Sequence, residues 1–154
     1  MPTNYAFERE YVGQILSEAW NSSTCPINWP NDELAEFPTD EAGNHTLPAP
    51  TGDRTNPARW LSVEFDYRAA TRVSFGGSDA DVQVDGVLMI GVFVELGCGD
   101  GKLRELIDQL VDIFHDADTE GLQFLEPQPE LPEYIAEDWY SRQLSIPFVR
   151  FQND

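Results

Sequence analysis

A glycine-rich segment in the middle of the chain is the first candidate for a binding or catalytic site. Residues 92–101 read VFVELGCGDG, with an apolar stretch, an acidic residue and glycines at alternate positions. A helical pattern starts directly after the last of these glycines. Glycines let the backbone approach a ligand closely, and the N-terminus of a helix attracts polar or anionic groups. The segment therefore has the composition of a cofactor-binding loop.

This segment resembles the loop with which class I methyltransferases hold S-adenosylmethionine. Glu126, at the end of a possible following strand, lies near where an acid that binds ribose would be expected. A methyltransferase sheet, however, needs about five more strands beyond such a loop, in units of roughly 30 residues. The chain after Gly101 is too short and too rich in proline to supply them. S-adenosylmethionine binding is thus the least favoured function, we expect no cofactor, and the glycines are interpreted as a tight turn.

Acidic residues, histidines and cysteines give no recognisable pattern of ligands or catalytic groups. Asp79, Asp81 and Asp85 lie close together, but the glycine and the terminal glutamate of a calcium loop are missing. His45 and His115 are the two histidines, and neither lies at zinc-ligand spacing from a cysteine. No Ser-His-Asp or Cys-His arrangement is indicated. We therefore expect no metal site, no catalytic residue and a protein that is not an enzyme.

Composition predicts one folded domain over residues 1–154 with a strongly acidic surface. Apolar residues make up 41% of the chain, which is enough for one hydrophobic core. The chain carries 28 Asp and Glu against 9 Lys and Arg, for a net charge of -19. Such a surface repels nucleic acid and anionic membranes. The N-terminus lacks a signal-peptide pattern and the longest apolar run, 87–96, is too short to span a bilayer, so we expect a soluble protein in a reducing compartment.

Two segments have helical periodicity. Apolar side chains recur at helical spacing over 11–20 and again over 103–114. Asp100 is the expected N-cap of the second helix. Between the helices, residues 21–57 contain six of the eleven prolines, which predicts a long proline-rich loop there.

Strand patterns occupy much of the remaining chain. Alternation over 60–67 predicts a strand with one buried face, and a second strand is expected over 71–75, with a turn at 76–79. Residues 82–96 predict one long central strand in which Gly86 marks a bulge.

The C-terminal part predicts two further strands. A short strand is expected within 121–126, after which prolines impose an extended connector. The last strand contains Leu144, Ile146 and Phe148, with Pro147 expected at a sheet edge or a bulge. Because the strands mostly follow one another without crossover helices, we predict an α+β fold, a small and mostly antiparallel sheet with two helices packed on one face.

Two aromatic segments are suited to docking. Asn28, Trp29 and Asn31 belong to the proline-braced segment INWPN, and Trp139 follows the proline-rich connector. Each tryptophan could fill a pocket of its own subunit or anchor an interface. Asn28, Trp29, Asn31 and Trp139 are therefore the candidate interface residues.

The whole pattern resembles the tail terminator, or tail completion, proteins of long-tailed bacteriophages. The resemblance spans nearly the full chain and depends on the order and spacing of several short matches. These matches are the N-terminal helix, Ile27-Asn28-Trp29-Pro30-Asn31, Phe37-Pro38, Trp60-Leu61, Gly86-Val87-Leu88, Leu106-Ile107-Asp108 and Ile146-Pro147-Phe148. The chain departs from the family in its long loop at 38–57 and in the extra glycines of 97–101.

This resemblance implies a structural role in the virion tail after assembly in the host cytoplasm. Such proteins form a ring, typically a hexamer, on the end of the tail tube, where they stop tube polymerisation and offer a surface for head joining. The implied partners are further copies of the chain, the tail tube protein and a head-completion or connector protein. DNA passes through without specific binding, no membrane is involved, and an acidic lumen would repel the DNA phosphates. The alternatives are a head–tail connector protein and an acidic DNA mimic that inhibits a host nuclease.

Overall fold

The computed structural model describes residues 6–30, 37, 39–72, 81–115, 117–119, 122–129, 134–136 and 138–153. The two helices are α1 (Ala6–Ala19) and α2 (Gly101–His115). The strands are β1 (Ile27–Asn28), β2 (Arg59–Arg72), β3 (Asp81–Glu95), β4 (Asp118–Thr119), β5 (Leu122–Phe124), β6 (Gln128–Pro129), β7 (Tyr134–Ala136) and β8 (Trp139–Asn153).

The strands of the described residues form one sheet built around three long strands. The order is β1-β2-β3-β8-β5-β4, and β6 and β7 also pair with β8. Only the two-residue β1 is parallel to its neighbour, β2, and the other described pairings are antiparallel. The predicted α+β fold with a mostly antiparallel sheet is confirmed.

Both helices pack on the same face of this sheet. Side chains at alternate positions of the long strands, such as Leu61 on β2, Ile90 on β3 and Leu144 on β8, point into one hydrophobic core. The buried side chains of the helices enter the same core: Val12 and Leu16 from α1, and Leu103, Leu106, Ile107, Leu110 and Phe114 from α2. Side chains repeat every two residues in a strand and every 3.6 residues in a helix. The apolar side chains at these spacings in the long strands and in the two helices therefore meet in the same core.

A buried ion pair joins α1 to the far end of the sheet. Glu8 and Arg150 are 1% and 2% exposed, and Arg150 Nε donates to Glu8 Oε1. The Tyr67 hydroxyl donates to the other carboxylate oxygen, Glu8 Oε2, at 3.0 Å. The network therefore ties α1 to both β2 and β8. Buried charges of this kind are tolerated only when paired and hydrogen-bonded.

The first two predicted strands are one strand. The residues expected to start a second strand, Thr71 and Arg72, continue β2, and both pair with β3. Residues 73–80, with the expected turn at 76–79 and with Asp79, lie outside the described residues.

Gly86 does not carry the expected bulge. The register shift lies on the neighbouring strand, between Tyr67 and Ala69 of β2, and Gly86 itself is opposite Tyr67. A Cβ atom at Gly86 would come within 2.5 Å of the Phe148 ring and 2.9 Å of the Asp66 carbonyl oxygen. The glycine is therefore required for close packing.

Pro147 does not lie in an edge strand as expected, because β8 runs between β3 and the short strands. On the outer side of β8, β5 pairs as far as Phe148 and β6 begins opposite Ser145, so Pro147 falls between the two. Its carbonyl accepts a hydrogen bond from the Leu125 amide at 2.8 Å. The missing N–H of proline thus interrupts no described strand pairing.

Two further sequence expectations agree with the structure. The Asp100 carbonyl accepts the first helical hydrogen bond, from Arg104 N at 3.0 Å, so Asp100 is in the N-cap position of α2. The described part of the proline-rich stretch is mostly loop and contains β1 and a bridge between Thr39 and His45. Residues 31–36 and 38 lie outside the described residues.

Candidate functional site

The face of the sheet away from the helices is a polar and acidic surface, here called the open face. No helix of the described chain packs against it. Its side chains alternate with those of the core along the three long strands. They are Ser62, Glu64 and Asp66 from β2, Asp85, Val87, Met89, Gly91 and Phe93 from β3, and Ser141, Gln143, Ser145 and Pro147 from β8. A shallow groove of about 250 Å³ crosses its middle near Gly91.

Three acidic side chains, Glu64, Asp66 and Asp85, lie on this open face. The Asp66 carboxylate has an exposed ion pair with Arg68 at 3.2 Å, and Asp85 accepts a hydrogen bond from Gln83 at 2.8 Å. Exposed ion pairs neutralise a carboxylate only weakly because water screens them. Arg68 offsets one of these three charges and Arg142 lines the groove, so the open face carries a small excess of negative charge.

An aromatic cluster closes one end of the open face. Trp60 stacks on Phe93 with ring centroids 3.9 Å apart, and Trp139 and Phe37 meet Trp60 edge to face at 6.1 and 5.8 Å. Offset and edge-to-face contacts are the favoured geometries of aromatic rings. Since Phe37 comes from the proline-rich loop, the cluster attaches that loop to the sheet.

Glu95, at the end of β3, fixes the same loop by hydrogen bonds. Its side-chain oxygens accept bonds from Gly52 N at 2.5 Å, Thr51 Oγ1 at 3.1 Å and Ala58 N at 3.2 Å. Burial alone would raise the pKa of this carboxyl, but the bonds from Gly52, Ala58 and Thr51 together lower the pKa below its ordinary value. The ionised Glu95 carboxylate therefore holds residues 51–58 against the end of β3, and this set of hydrogen bonds is called the Glu95 latch below.

A second concave surface, here called the loop groove, lies where the proline-rich loop folds back on itself. It encloses about 580 Å³ between residues 22–26 and 48–59, with Phe37 also in its wall. Arg59 donates from Nε to the Thr24 carbonyl at 3.2 Å and from Nη2 to Asn56 Oδ1 at 2.9 Å. The Glu95 latch shapes this groove, because Thr51 and Ala58 line it.

The candidate interface residues occupy separate places. Asn28 is half-buried on β1 and pairs in register with Ser62. Trp29 is 6% exposed, belongs to the main core and has the Arg9 guanidinium 3.8 Å from its ring centroid. Trp139 is 7% exposed in the aromatic cluster, and Asn31 lies outside the described residues. Both tryptophans fill pockets of their own subunit in this single chain, and their role in an interface stays a prediction.

The glycine-rich segment forms a turn between β3 and α2. Gly97 and Gly99 have φ angles of 89° and 80°, in the region that favours glycine. Burial and the neighbouring Glu95 carboxylate raise the pKa of the Cys98 thiol. Burial also raises the pKa of Cys25, to about 12. Both thiols are therefore protonated at neutral pH and poorly reactive as nucleophiles.

The histidines make local contacts. His45 Nδ1 lies 2.7 Å from the Phe37 carbonyl oxygen, and His115 Nδ1 lies 4.0 Å from Glu126 Oε2. Among the described residues there is no group of three or more His, Cys, Asp or Glu that could hold a metal ion. Neither helix of the described part of the chain is long and apolar enough to cross a membrane.

Sequence reasoning missed Arg59 and the function of Glu95. In the sequence, Glu95 belongs to a glycine-rich motif, and its place as an acid that ends an apolar strand is the signal for a buried carboxylate with partners. Arg59 stands between a proline-rich loop and a strand, and nothing in its neighbours along the chain indicates a groove. Both depend on loop residues that are distant in sequence, Gly52 and Thr24.

Comparisons with known proteins support the fold. No protein-family model and no curated protein matches the sequence. Seven solved chains match the structure. One of them, whose name states neither an activity nor an organism, aligns with a TM-score of 0.51 and 12% sequence identity over 92% of this chain and 94% of its own. At this identity the likeness shows a shared fold over nearly the full length of both chains.

Proposed function

We propose that this protein is a non-enzymatic tail terminator that forms a ring on the end of a phage tail tube. The ring would stop polymerisation of the tube protein and offer a surface to a head-completion protein. The one observation that carries the proposal is the one-sided sheet, with helices on one face and a polar, acidic face left open. The order of the sequence matches to tail terminators supports the same role.

The dimensions of the sheet suit a channel wall. Both β3 and β8 contain 15 residues, so the sheet extends about 50 Å along its strands at roughly 3.3 Å per residue. Three long strands backed by two helices form a stiff plate, because the apolar side of the plate is packed throughout. Several copies arranged in a ring with the open face inward would enclose a channel.

The charge of the open face suits the passage of DNA. Glu64, Asp66 and Asp85 would face the lumen in such a ring, and carboxylates repel DNA phosphates. A basic lumen would instead bind DNA by releasing its counterions and would slow its passage. The net charge of -19 on the chain acts in the same direction.

Electron microscopy of tail tubes tests the proposal. Tubes of the cognate tail tube protein, assembled with and without the purified chain, are compared for length and for a terminal ring. We expect a narrow length distribution and a ring at one end when the chain is present. Unchanged tube lengths with bare ends would refute the proposal.

Charge reversal then tests the orientation of the sheet. The variant with Glu64→Lys and Asp66→Lys changes the open face, and Asp108→Lys with Asp112→Lys makes the same change in charge on the exposed side of α2. We expect both variants to form terminal rings, and only the open-face variant to impair DNA ejection from assembled particles. Equal ejection by the two variants would contradict a lumen lined by the open face.

A further inference from the structure

The loop groove holds a cation, Arg59, that has no anionic partner within the described part of the chain. Two of the Arg59 nitrogens bind neutral oxygens, the Thr24 carbonyl and Asn56 Oδ1. The third, Nη1, is buried and has no hydrogen-bond acceptor among the residues that the structure describes. No carboxylate of the described residues lies within 4 Å of this guanidinium, although acids outnumber bases three to one in the chain, 28 to 9. A guanidinium with an unused donor is a good binding group for an oxyanion.

Two residues with neutral donors, Asn56 and Ser22, line the same groove. Asn56 uses its Oδ1 to accept from Arg59, so its amide Nδ2 remains a donor. The Ser22 hydroxyl also lines the groove, and it makes no hydrogen bond within the part of the chain that the structure describes. Apolar walls are supplied by Phe37, Pro26 and Pro48. The groove thus combines a few polar donors with an apolar surface, as ligand sites commonly do.

We propose that the loop groove binds a carboxylate carried by an extended peptide segment of a partner protein, with Arg59 as the binding residue. A carboxylate fits because its two oxygens lie in a plane and can accept from a guanidinium side by side. A doubly charged phosphate or a nucleic acid is disfavoured, because the groove offers one cation on a chain of net charge -19. The proposal holds whether or not the chain forms a ring.

Binding requires a movement of the loop. Arg59 Nη1 is closed to water, so it must become exposed before a carboxylate reaches it. Our proposal assigns this movement to residues 48–58, because they form one wall of the groove. The Glu95 latch limits that movement, since it holds Thr51, Gly52 and Ala58. We therefore expect slower association than for an open surface, because a conformational change precedes the contact.

An NMR titration of the full chain labelled with ¹⁵N tests the proposal. The probes are the peptide acetyl-Pro-Pro-Glu-Pro-amide and the same peptide with Gln in place of Glu, so the two differ only in the charge. We expect saturable shifts of amides within 22–25 and 51–59, with the Glu peptide binding at least about tenfold more tightly, because only its carboxylate pairs with the guanidinium. Arg59→Gln should abolish this preference. Arg104→Gln, which removes an exposed arginine of α2, should leave the preference unchanged.

Three results would overturn the proposal: equal binding of the two peptides, an unchanged preference in Arg59→Gln, or shifts confined to the open face. Near-ultraviolet circular dichroism, which reports on the tryptophan cluster, checks that each variant is folded. If Arg59→Gln fails this check, Arg59→Lys keeps the charge and Asn56→Ala removes a neutral donor. The proposal then requires that folded Arg59→Lys and Asn56→Ala both bind the Glu peptide more weakly than the wild type and still prefer it to the Gln peptide. Loss of this preference in folded Arg59→Lys would refute the proposal. Wild-type affinity in both variants would also refute it.

Discussion

Replacing Arg150 by methionine should be one of the most destabilising single changes in this protein. Arg150 is 2% exposed and its partner Glu8 is 1% exposed. Among the described residues, the change leaves the buried Glu8 carboxylate with one neutral donor, the Tyr67 hydroxyl at 3.0 Å. Breaking a buried pair by removing one partner costs about 3–5 kcal/mol. That loss is a large fraction of the roughly 5–15 kcal/mol by which a domain is stable.

Urea unfolding followed by tryptophan fluorescence measures this loss as a change in the free energy of unfolding. The matched control is Arg104→Met, which removes an exposed ion pair with Asp100 on α2 and should cost about 1 kcal/mol or less. Both variants lose one arginine, so the difference between them isolates burial.

A second comparison separates the ion pair from the space that it fills. The triple variant with Glu8→Met, Arg150→Met and Tyr67→Phe removes both charges and the hydroxyl that would lose its acceptor. It should recover most of the stability that Arg150→Met loses, because apolar groups of similar volume often replace buried ion pairs without net cost. The reasoning is refuted if Arg150→Met loses less than about 1 kcal/mol, or if the triple variant is no more stable than the single variant.

Three further outcomes are expected. Glu95→Gln should reduce the free energy of unfolding by about 1–3 kcal/mol, since the amide NH₂ group repels one of the donors that the carboxylate binds. The same change should expose residues 51–58 to proteolysis, and limited digestion with mass spectrometry locates the cleavage. The pKa of Glu95 is lowered in the folded state. The stability that ionised Glu95 contributes is therefore fully present above the ordinary pKa of 4.5 and is lost as the pH falls through the folded-state pKa. Acid unfolding of the wild type compared with Glu95→Gln should show this loss. Gly86→Ala should cost about 1–3 kcal/mol in urea unfolding, because a Cβ atom there would lie 2.5 Å from Phe148. Cys25, with its pKa raised to about 12, should resist iodoacetamide in the folded protein and react after unfolding, as intact mass would report.

Periodicity in the sequence was sufficient for the fold class. Alternation at Leu61 and Val63 identified the buried side of β2. Most of the apolar positions of α2 are buried as its helical period predicts, namely Leu103, Leu106, Ile107, Leu110 and Phe114. These predictions succeeded because the side-chain direction in a strand or helix depends on local geometry alone. The antiparallel arrangement followed from the lack of crossover helices between strands.

The predictions that failed depended on partners distant in sequence. The sequence predicts Pro147 at a sheet edge or a bulge because a proline lacks a donor, but in the structure two short strands leave a gap opposite it within the sheet. The Glu8–Arg150 pair spans 142 positions, so neither residue has a local signal that distinguishes it from a surface charge. Similarly, a glycine needed for close packing at Gly86 cannot be told from one that forms a bulge until Phe148 is placed beside it.

The glycine-rich segment shows why a local match and a site are different things. In VFVELGCGDG the spacing of the glycines is satisfied by backbone geometry, with positive φ angles at Gly97 and Gly99 between a strand and a helix. The acidic residue of the motif, Glu95, has its carboxylate occupied by Thr51, Gly52 and Ala58 of the same chain. A carboxylate already bound by its own loop is a poor acceptor for a ligand, because the ligand would have to displace three hydrogen bonds. Glu95 instead holds Thr51 and Ala58, which line the loop groove, and the proposed carboxylate ligand is expected at Arg59 rather than at the glycines.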